Sequence, residues 1–491
     1  MPLYKSDYML FLRHPAWLWL KKKNPDDLPP IPPSVQHRFD DGYEFEKYAE
    51  KLFPNAIKVG FNDADDYRTI LSQTVDAWKN GARCVAQGMY NSGEVTCITD
   101  ILEAVGDSYV LTEIKSSTAA KTDHELDLAF QKVILESAGF EIHQCRVAHV
   151  NSSYVRNGEI DLRKFVAFTD VTENVEKRLE KTKSNIDRAL AVIRSEIIPD
   201  MDPSIAASNA FSEWLEIRKT LEPHLKVDSI YSLPKISSGV AKKLKKNNIS
   251  MIRDIKDASL LSHGAAKYWR AFERKDRFIN TSKLKKFLNE IAYPIYYLDY
   301  ETSSSAVPVW DHTAPYQQVP FQYSVHIKKD LQSDVQPFGY LHKAKDNPMD
   351  GLLEKLRKDI GDSGSVIVWN KSFEMDRNTE MAKYAPEYQE FLSGINSRVI
   401  DLMDPFKDEA ITDPAFKGSN SIKDVLPVMV PDYSYNDLKI KDGGTAASEW
   451  KTVTLRDGPN REKVYAELIK YCERDTEAMV LIHEKLIEIS H

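Results

Sequence analysis

Two hydrophobic periods run along this chain. Gly42–Phe53 carries Phe45, Tyr48, Ala49 and Leu52 at helical spacing, giving one apolar side of a helix. From Arg83 to Lys115 short β-type runs dominate: Cys84–Val85, Val95–Leu102 and Tyr109–Ile114. A helical pattern over Asp123–Ala138 and an apolar strand over Ile142–Val150 follow. Strand, strand, helix, strand is the order of an α/β core. Ahead of it, Met9–Leu20 is apolar apart from Arg13 and His14 and is followed by Lys21–Lys23, which predicts a buried amphipathic helix. The Pro-rich Leu28–Pro33 behind it reads as a loop.

Thr172–His224 turns helical and charged, punctuated by Pro199, Pro203 and Pro223. Leu233–Lys286 also reads helical, and Lys235–Lys286 is strongly basic. A new apolar strand, Ile295–Asp299, opens a last α/β region. A chain of 491 residues holds about three domains. The boundaries fall near 175 and 290, giving an α/β multidomain protein of segments 1–175, 176–290 and 291–491.

Apolar content of 42% with 29% charged residues is that of a soluble globular protein. No stretch reaches the ~18 apolar residues of a membrane span. The first apolar run lacks the small-residue cleavage site of a signal peptide, so a cytoplasmic protein is expected. Cys84, Cys97, Cys145 and Cys472 lie far apart and form no CxxC pair. Buried free thiols are therefore expected, rather than a zinc ribbon or a disulfide framework. The net charge of −8 is compatible with a nucleic-acid enzyme, since metal-holding sites need carboxylates and local basic patches can still grip phosphates.

The C-terminal region concentrates acids at the ends of apolar elements. Ile295-Tyr-Tyr-Leu-Asp299-Tyr-Glu301 puts Asp299 and Glu301 on one face of a strand. Such a pair is costly in a core unless a cation relieves it, and Mg²⁺ or Mn²⁺ prefers these oxygen donors. A second strand, Ser365–Trp369, leads into Asn370-Lys-Ser-Phe373-Glu374. Near the end, Tyr471 and Asp475 stand four apart on a helix and share a face. Asp401 also ends an apolar run, and a helix cap is the preferred reading. Ser419 and Ser421, before Ile422-Lys423-Asp-Val-Leu, are caps or phosphate contacts, with capping preferred.

These motifs resemble the tyrosine-bearing branch of the DEDD superfamily of DnaQ-like 3′→5′ exonucleases. Asp299 and Glu301 match its Asp-x-Glu motif. Asn370 to Phe373 match Asn-x-x-Phe-Asp, with Glu374 in place of the Asp. Tyr471 and Asp475 match Tyr-x-x-x-Asp. The resemblance covers Ile295 to the C-terminus and implies an RNase H-like fold and a two-metal mechanism. Asp299, Glu301 and Asp475 would hold Mg²⁺ or Mn²⁺, Glu374 would contribute directly or through water, and Tyr471 would orient the attacking water. Glutamate for aspartate adds one methylene and moves that ligand by about an ångström, a displacement that matters for rate.

In the N-terminal region, Asp100 ends one β-type run while Glu113 and Lys115 alternate onto one face of the next, and Gln131 lies on the following helix. Two acids and a lysine at one edge suit metal-assisted hydrolysis. The pattern resembles the PD-(D/E)XK nuclease fold, nearest the RecB-type branch. Lys5-Ser-Asp-Tyr-Met-Leu-Phe-Leu-Arg13-His14-Pro15 resembles the opening segment of such proteins, in which a Cys before the Pro ligates an iron–sulfur cluster. His14 stands in its place and no downstream cysteine group exists, so no cluster is expected. Glu46 matches the acid of the family's first helix. Gln131 fits its later helix, although the Tyr expected four residues on is Leu135. The resemblance implies Asp100 and Glu113 as metal ligands, with Lys115 and Gln131 catalytic.

In the basic middle, Tyr231–Ile249 resembles a helix-hairpin-helix element. Gly239 would allow close backbone approach to a phosphate, and Lys242, Lys243, Lys245 and Lys246 would contact further phosphates without reading bases. Ser237 replaces one of the usual glycines. Trp269 and Phe272 read as core residues rather than base-stacking platforms. Taken together, the chain resembles an uncharacterised bacterial family that joins a RecB-type nuclease to a DnaQ-like exonuclease. That implies a metal-dependent nuclease acting on nucleic acid, DNA ahead of RNA, with no membrane partner and a setting in DNA repair or defence. The alternatives are a single live centre with the other domain holding substrate, or a non-catalytic nucleic-acid-binding scaffold.

Overall fold

The β-type runs of the N-terminal part pair into one seven-stranded sheet in the computed structural model, which describes residues 1–30, 33–60, 67–226, 228–274 and 276–491. The strands are β1 (Leu3–Tyr4), β2 (Ile57–Lys58), β3 (Cys84–Ser92), β4 (Val95–Val105), β5 (Ser108–Lys115), β6 (Ile142–Val150) and β7 (Val166–Asp170). Their order is β2-β3-β4-β5-β6-β7, with β1 added beside β4. Hairpins make β3-β4 and β4-β5 antiparallel, whereas β5 and β6 run parallel across a helical crossover.

The first apolar run does not form one helix. It breaks at His14 into α1 (Lys5–Arg13) and α2 (Pro15–Lys23). Pro15 is well suited to the first helical position but pushes the residue before it out of the α region, and His14 is extended at φ −163°, ψ 128°. The helix read over Gly42–Phe53 belongs to α3 (Pro33–Glu50), which buries Phe45 and Ala49. The loop expected over Leu28–Pro33 lies partly outside the described residues. The crossover helix is α4 (Thr122–Ser137), and α5 (Leu179–Arg194) packs against it.

Both sheet faces are covered, as a buried α/β sheet requires. Leu111 and Val147 meet Tyr8, Phe11, Leu128, Ile134 and Ile186 on one face. Ala86, Ile101, Ile114 and Ala148 meet Phe45 and Phe165 on the other. Gln87 has φ +58° and interrupts the β3-β4 ladder opposite Asp100. Alternation inverts there: Cys84 and Ala86 serve the second core, Tyr90 the first. One non-glycine residue in a left-handed conformation thus redirects a strand beside an acid.

The strands of the C-terminal part are β8 (Phe278–Ile279), β9 (Ile295–Ser303), β10 (Val319–Lys328), β11 (Gln336–Leu341), β12 (Ser365–Val368), β13 (Val399–Asp401) and β14 (Ile411–Thr412). Five form a sheet of order β11-β10-β9-β12-β13, while β8 and β14 pair separately. The β11-β10-β9 half is antiparallel and the β9-β12-β13 half parallel. α6 (Lys371–Tyr384) follows β12, α7 (Ile422–Met429) comes later, and the chain closes with α8 (Arg461–Ser490) lying over β9 and β10. Polar contacts fix that helix: Tyr297 Oη lies 2.7 Å from His483 Nδ1, Ser324 Oγ lies 2.8 Å from Thr476 Oγ1, and Gln322 Nε2 donates to the Leu468 carbonyl at 3.0 Å.

The chain divides into two units, Met1–Tyr231 with Ser237–Ser250 and Ser305–Tyr316, and Ser232–Ile236 with Met251–Ser304 and Gln317–His491. The basic stretch Lys235–Lys286 is shared between them, Ser237–Ser250 falling in the first unit and the rest in the second. All four cysteines are buried and free. Among the described residues no helix is long and apolar enough to cross a membrane.

Gly364, at φ +82°, precedes β12 where the chain passes the start of β9, and a Cβ there would sit 1.9 Å from the Pro294 carbonyl oxygen. Gly364→Ala is expected to destabilise the protein by more than ~1 kcal/mol, read as a lowered urea midpoint of the unfolding transition.

Candidate functional site

Asp299 and Glu301 project from β9 beyond the point where its parallel partner stops. Pairing with β12 runs only from Ile295↔Ser365 to Tyr297↔Ile367. On the other edge, Ser324 and Gln322 of β10 lie opposite the two acids. Strand alternation turns the acids toward α8, which brings Tyr471, Cys472 and Asp475. Glu374 arrives in the first turn of α6. Asp401, at the end of β13, takes the Asn370 and Lys371 N–H groups at 3.1 Å each. It thus satisfies the first N–H groups of a neighbouring helix and so holds Glu374, whereas the N-cap position expected of it falls to Met403, before the helix Asp404–Lys407.

The acids are buried: Glu301, Glu374 and Asp475 are each less than 9% exposed. Oxygens of Asp299 and Glu301 and the Cys472 sulfur lie within 4.8 Å of one another, a grouping able to hold a metal ion. Burial, then the Asp475 charge, pushes the Asp299 carboxyl well up; burial, then Asp299, does the same to Glu301. Glu374 is raised by burial and by Asp299 and Glu301, and its Oε2 has no hydrogen-bond partner. Asp475 is raised by burial to about 6, moderated by the Tyr435 hydroxyl, which donates to it at 2.5 Å.

Sequence reasoning missed three parts of this site. Lys423, in the first turn of α7, donates to the Tyr471 hydroxyl at 3.1 Å and is the cation that most lowers the Asp299 and Glu301 carboxyls. Tyr435 holds Asp475 from a loop. Gly443 opens a helix, Gly443–Trp450, so close to Glu301 that a Cβ would lie 3.3 Å from Glu301 Oε2. A helix start favours negative charge. A Lys two residues after the Ser421 cap was the one available signal, because first-turn residues are oriented by their cap. Ser421 does cap α7, accepting the Lys423 N–H, and Ser419 accepts the Ser421 N–H at 3.1 Å.

The second cluster forms where β4 and β5 part. Their last pair is Ile101↔Thr112. Beyond it, Asp100 Oδ2 accepts the Ile114 N–H at 2.6 Å, so the carboxylate takes a bond the strand ladder leaves open. Glu113 is fully buried beside α4. Gln131 Nε2 donates to Glu113 Oε2 at 2.6 Å and to Asp127 at 2.9 Å. Lys115 lies 2.5 Å from Glu113 Oε1 and 3.3 Å from Asp127. Burial works to raise the Glu113 carboxyl, but Lys115 and Lys5 overcome it and hold the group low. Asp100, with less compensation, is raised by burial and by Glu113 to about 8. Glu46, matched to the family's first helix, accepts from Gln87 at 2.6 Å and lies within electrostatic reach of Glu113.

Lys5 and Asp127 were not singled out beforehand. Lys5 Nζ lies 3.0 Å from Glu113 Oε1 and 3.6 Å from Asp127. Asp127 stands one turn before Gln131 on α4, an i,i+4 relation that could have found it. His14 instead has a packing role: its Nδ1 accepts the Ala16 N–H and its ring stacks on Trp214 at 4.2 Å. Leu135, at the expected Tyr position, is core.

The basic middle element is a helix, Ser238–Lys246, capped by Ser237. Lys242, Lys243, Lys245 and Lys246 are exposed on it, and Lys245 pairs with Asp202 at 3.1 Å. Gly239 lies in its first turn, where a Cβ would only touch the capping Ser237 hydroxyl at 4.0 Å. Trp269 and Phe272 are half-buried on their own helix, His263–Arg274.

Fold and sites thus define a two-unit α/β protein with a buried carboxylate cluster in each unit. The profile of a family described as a domain of unknown function, DUF2779, matches residues 296–421, an interval that includes Asp299, Glu301 and Glu374. A Mycoplasma pneumoniae protein named "Uncharacterized protein MG366 homolog" is 26% identical over 294 residues, covering 56% of this chain and 43% of that protein. The Mycoplasma genitalium protein "Uncharacterized protein MG366" is 28% identical over 231 residues, covering 43% of this chain and 35% of that protein. "Uncharacterized protein UU173" of Ureaplasma parvum is 26% identical over 377 residues, covering 67% of this chain and 52% of that protein. The chain spans about half or less of the length of these relatives.

The folded protein holds the Asp475 proton more tightly than the unfolded chain does, since the carboxyl rises from 3.8 to about 6. The group's contribution to stability is therefore best below pH ~4 and is lost as pH rises to about 6. Asp475→Asn removes this cost. In chelator it should melt higher than wild type at pH 7, by about 1 kcal/mol, and the difference should shrink to nothing toward pH 4.

Proposed function

We propose that the chain is a metal-dependent nuclease. A 3′→5′ exonuclease centre is formed by Asp299, Glu301, Glu374, Tyr471 and Asp475, and a second hydrolytic centre by Asp100, Glu113, Lys115 and Gln131. The observation that carries the reading is the convergence of buried carboxylates from β9, α6 and α8 on one point, with one oxygen of Glu374 left unpartnered. In support, the β11-β10-β9-β12-β13 order, antiparallel then parallel with Asp-x-Glu on the central strand, is what an RNase H-like exonuclease would need. The mixed sheet with Asp100, Glu113 and Lys115 around parted strands is what a PD-(D/E)XK nuclease would need.

The donor set fits Mg²⁺ or Mn²⁺, being rich in carboxylate oxygens and holding an orphan one. Asp299, Glu301 and Asp475 would hold the ion in the exonuclease centre, with Glu374 assisting, and Asp100 and Glu113 would hold it in the other. A divalent cation bound there makes water a nucleophile at neutral pH and offsets charge on the leaving oxygen. The protein's own groups do the positioning. Burial and the Asp475 charge push the Tyr471 phenol far above its usual range, so it keeps its proton and orients water rather than deprotonating it. Lys423 donates to the same hydroxyl and fixes its direction.

A second reading has one specific observation in its favour. Glu113 is engaged by two lysines and a glutamine, so the N-terminal centre could hold substrate without cutting it. The test is Mn²⁺-dependent degradation of 3′- and 5′-labelled single-stranded DNA and RNA. Asp299→Ala should reduce stepwise loss from the 3′ end by at least ~10²-fold. Asp100→Ala should remove a separate activity; if every activity survives it, the second reading replaces the first for that centre. Wild-type inactivity across metals and substrates would overturn the nuclease assignment.

As a positioning residue, Lys423 should matter for rate more than for binding. Lys423→Met is expected to lower kcat by ~10- to 100-fold with KM nearly unchanged. Combining it with Tyr471→Phe should cost little beyond either alone, because both act through one hydroxyl.

A further inference from the structure

Beside the N-terminal cluster lies a cleft of about 400 Å³ that the hydrolytic residues leave unexplained. It opens between the β1-α1 junction, the last turn of α2 and β4, with Tyr4, Lys5, Ser6, Lys21, Lys22 and Thr96 on its walls. Three lysines line it, and the Lys5 ammonium is already turned to Glu113, 3.0 Å away. The one acid in its lining, Asp7, is buried and already engaged by Lys22 and, at 3.1 Å, by Lys21. With Lys5 paired to Glu113, the two remaining lysines, Lys21 and Lys22, outweigh Asp7 and leave the lining a modest excess of positive charge in a protein whose net charge is −8.

The cleft is continuous with the cluster through Lys5, which lines the one and reaches Glu113 in the other. Ile98, also on its wall, stands two residues before Asp100 on β4, or about 7 Å along the strand. A phosphate held by Lys21 and Lys22 would thus be close along the same backbone to one presented at Asp100. The volume admits a nucleotide unit and not a duplex, and Tyr4 offers a flat ring, with Lys22 Nζ 5.2 Å from its centroid.

We propose that this cleft binds the sugar-phosphate backbone of a single-stranded nucleic acid, seating the nucleotide next to the phosphodiester that meets Asp100 and Glu113. The proposal rests on the nuclease reading of that centre. Lys21 and Lys22 neutralise the phosphate, and Asp7 sets how much positive charge the cleft keeps.

The experiment measures binding of a fluorescent oligothymidylate to the full chain by anisotropy, in chelator so that nothing is cut. Lys21→Gln should weaken binding several-fold and lower the slope of log affinity against log salt by about 0.7. Asp7→Asn keeps an acceptor for the Tyr4 N–H, which Asp7 takes at 3.1 Å, while removing a charge, and should tighten binding several-fold. A merely structural Asp7 would give no tightening. Folded variants that both bind as wild type does, with the same slope, overturn the proposal. So does thymidine monophosphate competing as well as the oligomer, since the cleft would then take free nucleotides. If Asp7→Asn fails to fold, the more exposed Lys21→Gln carries the test alone. Binding is read without metal, so lost hydrolysis with intact cleft-dependent binding would fault the nuclease reading only. Intact hydrolysis with binding unmoved by either variant would fault the cleft only.

Discussion

Four carboxylates drawn together inside a protein repel one another and lose their hydration, and the C-terminal unit is organised around tolerating that cost. Desolvation is the largest influence on Asp299, Glu301, Glu374 and Asp475 alike, and each of the first three is raised further by another acid of the group. What opposes it is modest: the Lys423 ammonium, the Tyr435 hydroxyl on Asp475 and Arg377 near Glu374, while Asp442, which caps the Gly443–Trp450 helix, pushes Glu301 further up. Behind the acids, Gln322, Ser324 and Thr476 form a hydrogen-bonded polar layer between sheet and α8 rather than an apolar one. A site left this short of positive charge carries a standing electrostatic cost.

The N-terminal unit meets the same problem differently. Glu113 is as buried as any of these acids, yet Lys115, Lys5 and Gln131 converge on it and keep it ionised. Asp100 stays raised because burial and the Glu113 charge outweigh the lysines it shares with Glu113 and Asp127. Two interacting buried acids are thus split in proton affinity by unequal compensation. Separation of this kind is how neighbouring carboxylates come to play different roles.

Much of this was legible in the sequence wherever a local period carried the information. The strand over Ile142–Val150 and the crossover helix fall where their patterns put them. Asp299 with Glu301, and Tyr471 with Asp475, share faces because strand and helix periods dictate it. The split at His14 could have been drawn from Pro15, since the residue before proline avoids helix. β10 was harder. Val319, Phe321, Tyr323, Val325 and Ile327 alternate cleanly, but Pro320 argues against a central strand, and the structure absorbs it in a bulge between Pro320 and Gln322. What no period encodes is partnership across the fold. Lys5 and Glu113 are 108 residues apart, and Lys423 and Tyr471 are 48 apart. The division of the basic middle between two units was hidden for the same reason, because a helix's apolar face does not name the core it will join.

Both clusters sit where neighbouring strands part, and that coincidence has a physical cause. Inside a ladder, backbone groups satisfy one another and side chains on a face are shoulder to shoulder, which leaves no room for a ligand. When β5 leaves β4 after Thr112, and β12 leaves β9 after Ile367, amide groups and a wedge of space are released together. An acid at that point can accept an orphaned N–H, as Asp100 does from Ile114, and Asp401 does from Asn370 and Lys371 just past the end of β12. Those bonds orient carboxylates at little entropic cost, because the amide is already fixed by the strand or helix it belongs to. The wedge stays open because the parting strands are pinned by their cores: Leu111 and Ile114 on opposite faces of one sheet, and Leu298 and Val366 in the other. An ion or phosphate admitted there would meet donors and acceptors held by the rigid part of each fold.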